Sequence, residues 1–566
     1  MSLTYAQKRI IQESYPAKSP QEIATVLQIP VYKVHSHIRQ SDSIIKKAQS
    51  NTVQELPISE RYAYLMLLAV IVIIVYANGM FSAFVSDDIF VIVNEQERFR
   101  SLSYFLVQPT LLIRNIQYYL AYHIAGLSPF FFRLPNVLWH IGYVWIVYLT
   151  MPYFTKKKYM PLIVALFAAV HPMMIESVTW ISGGIYAQAG FFTFLSFHTY
   201  LRARKNSSRK LLIYSLLLFI AALSSSEKTI IFPFIILLYE FTYGTLKTSW
   251  SRISGFFGIS FVWGLMLIGQ VNGRLEYLQL TNGTESKFQF NNPFIQVPIA
   301  LSKYFELYLW PQQLTLYQSE VSMNMLQFVI RAIVTVVFFV IVGVAYKRSN
   351  MLFFWLSFFF ISLLTTMNPF GLSWIVAERY SYLGSIGLYV GFTMLVYQLI
   401  DRKKYEKIGY TILIIIILAL SVRTIVRNID WQSEDNLWIA TAKISQSDPK
   451  TFNNLGDVYS RKGDLDSAAR AFEHAIELNP YYADATHNLA NVYRAMGRDD
   501  EAFKLYERAV QLNPNLWQSH INLAALYFEK KEYEKALYHA ELGYQINPQE
   551  TQILNRIKLY YRDLQR

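Results

Sequence analysis

Between residues 61 and 427, apolar segments close to membrane-span length follow one another with only short polar connections. In hydrocarbon every backbone N–H and C=O must be satisfied within the protein, so such a chain folds as a bundle of helices. Spans are predicted near 62–85, 136–154, 159–173, 181–201, 211–225, 229–244, 253–272, 325–346, 350–366, 380–400 and 408–425. Segment 297–310, VPIALSKYFELYLW before Pro311, is too brief for a crossing and is read as an interfacial or re-entrant helix. A composition 53% hydrophobic and 16% aromatic, with mean hydropathy +0.23, is likewise too apolar for an ordinary soluble protein. The expected fold class is all-α: a polytopic membrane helical bundle of about 11 spans, followed by an α-solenoid.

Net charge is +13. Basic residues of membrane proteins collect in cytoplasmic loops, and eleven crossings with residues 1–60 inside put every compact basic cluster on that side. These clusters are Lys156 to Lys158, the RARKNSSRK segment 202–210, Lys247 with Arg252, Lys347 with Arg348, and 402–404. Counting 297–310 as a span would move the last two clusters outside. The charge therefore needs no nucleic acid to explain it. The chain has no cysteine, which removes disulfides, thiolate catalysis and cysteine zinc sites. Residues 1–60 are polar, so no cleavable signal peptide is expected and the first apolar run should remain as a signal anchor.

Three regions follow: a helical cap at 1–60, the membrane domain at 61–427 and a repeat domain at 428–566. In the cap, Ser19-Pro20-Gln21-Glu22 predicts an N-cap, a proline at N1 and a capping-box acid at N3. The helix it opens is followed by Ile29-Pro30 as a turn and Val31 to Arg39 as a second helix, a spacing like that of a helix-turn-helix. In the repeat domain Leu455, Leu489 and Leu523 recur every 34 residues, as do Tyr459, Tyr493 and Tyr527, and Ala468, Ala502 and Ala536. Asn-Pro pairs end at Pro480, Pro514 and Pro548. This is the tetratricopeptide pattern of two helices per repeat, here three repeats with a preceding helix within 431–449. Its groove suits a protein or peptide acceptor.

Just beyond the first apolar run stands FVSDDIFVIVNEQ, with Asp87 and Asp88 adjacent. One carboxylate there could take the proton of an attacking hydroxyl while its neighbour orients the acceptor, or the two could hold a divalent cation. FVSDDIFVIVNEQ resembles the DDxxAIxxN-type motif of transmembrane O-mannosyltransferases that carry tetratricopeptide repeats, members of the GT-C class of lipid-phosphate-sugar-dependent glycosyltransferases; Asp87, Asp88, Ile92 and Asn94 match. Further matches follow in order: LSPFFFRLPNVLWH with Asn136 and His140, HPMMIESVTWISG with His171, Glu176 and Gly183, and SSEKTIIFP with Glu227 and Pro233. YLWPQQLTLY, VAERYSYLGSIG with Glu378 and Arg379, and VRNIDWQSEDNLW at the junction to the repeats complete the series. The chain departs from the family pattern at Gln108, Gly184, Tyr186 and Ser226, where charged groups have been lost or moved.

The resemblance implies a lipid-linked sugar donor, with its polyprenol among the spans and its head group in an external cavity. Asp87 would act as general base and Asp88 as its support. Arg379 would be the first cation for the leaving phosphate, with Arg114, Arg133 and Lys228 behind it. Glu378 would hold Arg379, and Asn94, His140, His171, Glu176 and Glu227 would line the donor site. The expected enzyme is a hexosyltransferase in a bacterial inner membrane with its repeats periplasmic, or in the endoplasmic reticulum with luminal repeats. A rival reading is a catalytically inactive membrane scaffold. A membrane-tethered DNA-binding regulator ranks lower because 31–39 offers only Lys33, Arg39 and two histidines. A transporter ranks low because the spans lack buried charge pairs and inverted repetition.

Overall fold

The computed structural model describes residues 11, 19–34, 57–103, 109–244, 246–282, 292–316, 318, 324–367, 375–549 and 552–564. Every regular element among them is helical. In the cap, helix Pro20–Leu27 begins with the reciprocal pair its sequence announces: Glu22 N–H donates to Ser19 Oγ at 3.3 Å, and Ser19 N–H to the Glu22 carboxylate at 2.7 Å. Ile23 and Ala24 pack with Ile11 and Val34. The next helix starts at Val31; the rest of that expected element, through Arg39, lies outside the described residues.

Among the described residues, four helices are individually long and apolar enough to cross a membrane: Ile58–Gly79, Thr248–Gly269, Met325–Arg348 and Glu406–Asp430. Met160–Val170 and Pro172–Val178 form a fifth if the pair, bent by 58° at His171, is one span. The expectation of about eleven is corrected accordingly, and the reason lies in where the other helices sit. Arg209–Leu223, Phe232–Tyr243, Asn350–Leu363 and Ser385–Ile400 have 15, 12, 14 and 16 residues, short of the ~20 that span hydrocarbon. Pro129–Thr150 and Gly184–Lys205 have 22 each, but bury Arg133, Asn136, His140, Gln188, Thr193 and Ser196. A helix surrounded by protein can be short or polar because its neighbours satisfy what lipid would not. Glu240 illustrates this: fully buried, it accepts from Tyr200 and Ser249 hydroxyls at 2.6 Å each and pairs with Arg204 at 3.2 Å.

The first span also ends sooner than its hydropathy suggests, at Gly79 instead of 85. The carbonyls of Met80, Ser82 and Ala83, which a continuing helix would use internally, accept from Arg133 of helix Pro129–Thr150. Helix Pro293–Leu309, the short segment singled out above, packs with Tyr304 and Tyr308 turned toward residues 377–381.

Downstream of the last span, helix Glu434–Ala442 leads into the paired helices Pro449–Arg461 with Leu465–Leu478, Ala483–Ala495 with Asp499–Leu512, and Trp517–Glu529 with Tyr533–Ile546. Ala468, Ala502 and Ala536 are fully buried where paired helices touch. Each pair turns through a left-handed residue: Gly463 at φ 75°, Gly497 at φ 76° and, 34 residues on, Lys531 at φ 64°. The first two are free of Cβ crowding, whereas the lysine is not. Lys531→Gly should therefore stabilise the third repeat by up to ~1 kcal/mol, the relief of left-handed strain less the added chain entropy. Slower amide hydrogen exchange in 517–546, with unchanged exchange in the first repeat, is the expected result.

Candidate active site at the loop end of the bundle

Arg133, less than a tenth exposed, directs its whole guanidinium at backbone: Nε to Thr179 O at 2.6 Å, Nη1 to Met80 O at 3.1 Å and Ser82 O at 2.7 Å, Nη2 to Ala83 O at 2.9 Å. It therefore joins the loop after the first span to the loop after the bent pair. Asn136, one turn on, donates to the carbonyls of Trp180 and Ile181 at 3.2 Å each. The Asn136 amide lies where a Cβ on Gly184 would fall, 2.0 Å away, so the glycine at this departure from the family pattern is needed for close packing. His140 is fully buried against the Tyr382 hydroxyl at 2.7 Å. These three residues carry the scaffold of the loops.

On that scaffold the chain turns at Ser86, φ 55°, and enters a single π turn, Ile89–Asn94, directly after the acidic pair. A π turn widens the helix and re-aims its side chains, which is why such turns recur at functional sites. Asp88 points inward and is fully buried: its Oδ1 accepts from Ser182 N–H at 2.8 Å and Ser182 Oγ at 2.5 Å, and its Oδ2 lies 3.4 Å from Val85 N. Burial raises its pKa to about 6, against the pull of Ser182 and Arg133. Asp87 points outward and is exposed, yet the surrounding walls still raise its pKa, while Arg379 and then Lys450 pull it down. Asn94, at the end of the turn, is exposed. Among the described residues no three His, Cys, Asp or Glu side chains gather as a metal would require. With Asp88 already bonded to Ser182, the pair does not fit a divalent cation.

The loops that carry Asp87 with Asp88, His171 to Glu176, Glu227 with Lys228, and Glu378 with Arg379 meet at this end of the bundle. Arg379 donates its backbone N–H and Nη1 to Glu176 Oε2, both at 3.0 Å, and lies against Trp180 and Tyr380 at 5.3 and 5.0 Å. Burial opposes the charge on Arg379, but Glu176 together with Tyr380 and Tyr186 more than offsets it and keeps the guanidinium ionised. Glu378 does not hold Arg379; it turns to Arg427, 3.5 Å away at the end of the last span. Lys228 Nζ sits over the Tyr380 ring at 3.2 Å, with Tyr186 at 5.6 Å. Glu227 lies within electrostatic reach of Arg114 and Tyr186. Arg114 itself donates to Asn115 Oδ1 at 3.1 Å. His171 uses both ring nitrogens locally, at Tyr308 O, 3.2 Å, and Met173 N, 3.3 Å, and so pins the bend of the broken helix pair.

Three partners of the site were not singled out from sequence. Ser182 anchors Asp88; Glu434 accepts the Ser86 N–H at 2.7 Å; Lys450, in the first turn of the first repeat, lies within electrostatic reach of Asp87. The junction motif VRNIDWQSEDNLW held the available hint, since Arg427, Asn428, Trp431 and Glu434 all come from it. Of the departures, Ser226 accepts the Lys228 N–H at 3.4 Å and Tyr186 walls in the lysine, while Gln108 lies outside the described residues.

The raised pKa of Asp88 has a thermodynamic consequence. Between about pH 4 and 6 the folded protein binds more protons at this group than the unfolded chain does, so its contribution to stability falls as pH rises through that window. Asp88→Asn should remove that part of the pH dependence. The difference in melting temperature between wild type and variant, read at pH 4.5 and 6.5 in one detergent, should change with pH; a constant difference refutes the assignment.

The chain is similar to known proteins over both regions. Tetratricopeptide-repeat models match residues 456–497 and 481–549. The mouse protein O-mannosyl-transferase TMTC3 is 24% identical over 474 residues, 73% of this chain and 51% of that protein, and the human protein of the same name is 24% identical over 478 residues with the same coverage. Drosophila melanogaster protein O-mannosyl-transferase Tmtc2 is 33% identical over 144 residues, 25% of this chain and 15% of that one. The chain thus spans about half the length of the longest-matching relatives. Two solved structures align at low TM-scores: MamA, 18% identical over 31% of this chain and 95% of that one at 0.19, and the APC/C hetero-tetramer Cut9–Hcn1, 15% identical over 82% and 94% at 0.23. The chain is an all-helical protein with several apolar helices of membrane-span length and a C-terminal tetratricopeptide solenoid, and its similarity is to protein O-mannosyl-transferases.

Proposed function

We propose that the protein is a membrane glycosyltransferase that moves a hexose from a polyprenyl-phosphate donor to Ser or Thr hydroxyls of a protein acceptor. The observation that carries this reading is Asp87: an outward-facing carboxylate with Arg379 from the bundle and Lys450 from the first repeat in its electrostatic field. A base between a lipid-side cation and a peptide-binding module is what transfer from a lipid phosphate to a protein requires. The similarity to protein O-mannosyl-transferases over 73% of the chain supports the same reading.

In the proposed reaction Asp87 accepts the proton of the acceptor hydroxyl, whose oxygen bonds to the anomeric carbon as the bond from that carbon to the phosphate oxygen breaks. The electron pair leaves on the lipid phosphate, and the configuration inverts. Arg379, held in place by Glu176, and Lys228, held over Tyr380, are the cations for the developing charge, with Arg114 beyond them. Asp88 positions Asp87 by fixing the turn between them. Glu227, Asn94 and the aromatic wall of Tyr186, Trp180 and Tyr380 would contact the sugar. The acceptor would lie along the inner face of the repeats, where Asn488 donates to Asn453 at 3.1 Å and Asn522 to Asn491 at 3.0 Å. An N-terminus in the cytoplasm and external repeats complete the proposal; the membrane is the bacterial inner membrane, or the endoplasmic reticulum in a eukaryote.

The alternative, an inactive scaffold that gathers envelope proteins, is favoured by Tyr186 and Ser226 standing where the related family carries charge. The two readings separate at Asp87. Asp87→Asn, exposed and therefore tolerated by the fold, should lower transfer at least ~100-fold. Envelope glycopeptides compared by mass spectrometry in cells with wild type, deletion and Asp87→Asn at equal membrane abundance should lose the same hexose-bearing peptides in both mutants. Identical profiles in all three would leave the scaffold.

A further inference from the structure

Away from the candidate active site, helix Met325–Arg348 carries one charged residue between Met325 and Tyr346: Arg331. It stands six residues into the helix, about 9 Å along the axis. The surrounding side chains face outward as a lipid-contacting helix should, with Leu326 69%, Ile330 53% and Ile333 56% exposed. A guanidinium at this depth is costly without a partner and marks a functional position by default. Its nearest carboxylate neighbour on the cavity wall, Glu306, pairs with Lys303 at 2.9 Å instead. Arg331 Nη1 donates to the Ser302 hydroxyl at 2.9 Å, a neutral acceptor that orients the guanidinium, and no carboxylate among the described residues pairs with it.

Arg331 also lines a cavity of about 280 Å³ between helices Pro293–Leu309 and Met325–Arg348, with Ser302, Glu306, Gln327, Ile330 and Val334. The exposed Ile330 places its mouth on the lipid-facing side. Ser302 and Glu306 stand four residues apart on one face of Pro293–Leu309, whereas Tyr304 and Tyr308, offset from them by half a turn, reach the Ala377 carbonyl at 3.1 Å and the Ser381 hydroxyl at 2.8 Å. The cavity is thus behind the helix that props the Glu378-Arg379 turn, on the opposite side from the candidate active site.

We infer that this cavity binds the phosphate head group of an anionic lipid of the surrounding bilayer, with Arg331 as its counter-ion, Gln327 as a polar wall and the acyl chains along Ile330 and Val334. Basic pockets between membrane helices hold lipid phosphates in this way, and the occupant supplies the negative charge that no described side chain brings to Arg331. The site is independent of the transferase reading, since it needs neither donor nor acceptor.

The test is native mass spectrometry of the detergent-purified full chain titrated with phosphatidylglycerol and, separately, phosphatidylcholine. Wild type should bind phosphatidylglycerol more tightly, and Arg331→Gln should weaken that binding about fivefold while leaving phosphatidylcholine unchanged. Val334→Trp, which fills the cavity and keeps the charge, should weaken it likewise and covers the case in which the Arg331 variant does not fold. Added polyprenyl phosphate distinguishes the source: failure to displace phosphatidylglycerol marks a bilayer-lipid site, whereas displacement through Arg331 overturns that assignment in favour of the carrier lipid. Equal binding of the two phospholipids by wild type, or undiminished phosphatidylglycerol binding by folded variants, also overturns it.

Discussion

The Arg133 guanidinium, buried and divided among four backbone carbonyls, is the contact on which the loop end of this protein depends. It takes its acceptors from two chain segments about one hundred residues apart, at 80–83 and at Thr179. Without a donor the Thr179 and Ser82 carbonyls would be buried and unsatisfied, at a cost of ~1–3 kcal/mol each, so the loop and the arginine specify each other. The acidic turn with Asp88 then locks onto Ser182 of the second segment. Two carboxylates adjacent in sequence acquire opposite environments in this way: one sealed, one exposed.

The same logic orders the rest of the site. Glu176 with Arg379, and Glu378 with Arg427, are buried acid–base pairs that join helices distant in sequence. Such pairs add little net stability, because desolvation consumes most of the attraction, but removing one partner leaves a buried charge. Their effect is geometric. Arg379 is held where its field reaches Asp87, and Arg427 ties the last span to the turn that carries it.

The repeats are fastened to this end of the bundle instead of hanging from a free linker. Ala83 N–H donates to Gln432 O at 2.9 Å, Ser86 N–H to Glu434, and the Thr315 and Ser445 hydroxyls meet at 2.9 Å, while Trp431 is sealed beside Trp180. The first repeat therefore starts next to Asp87, with Lys450 in its first turn.

Local pattern was enough for the helical class, the 34-residue repeats, the cap at Ser19-Glu22 and the loops where charge gathers, because capping, periodicity and hydropathy act over a few residues. The same pattern overcounted spans: a stretch such as Asn350–Leu363 is as apolar as a span, and only packing reveals that protein, not lipid, surrounds much of it. It also grouped Arg133, His140 and His171 with the donor-site residues, whereas their partners, the carbonyls at 80–83 and 179, Tyr382 and Tyr308, become neighbours only on folding. Composition and spacing determined what kind of protein this is and which residue types could do chemistry. Tertiary structure decided which of two neighbouring aspartates is exposed and which cations reach it, because those depend on long-range pairings and on burial, neither of which is a property of a sequence window.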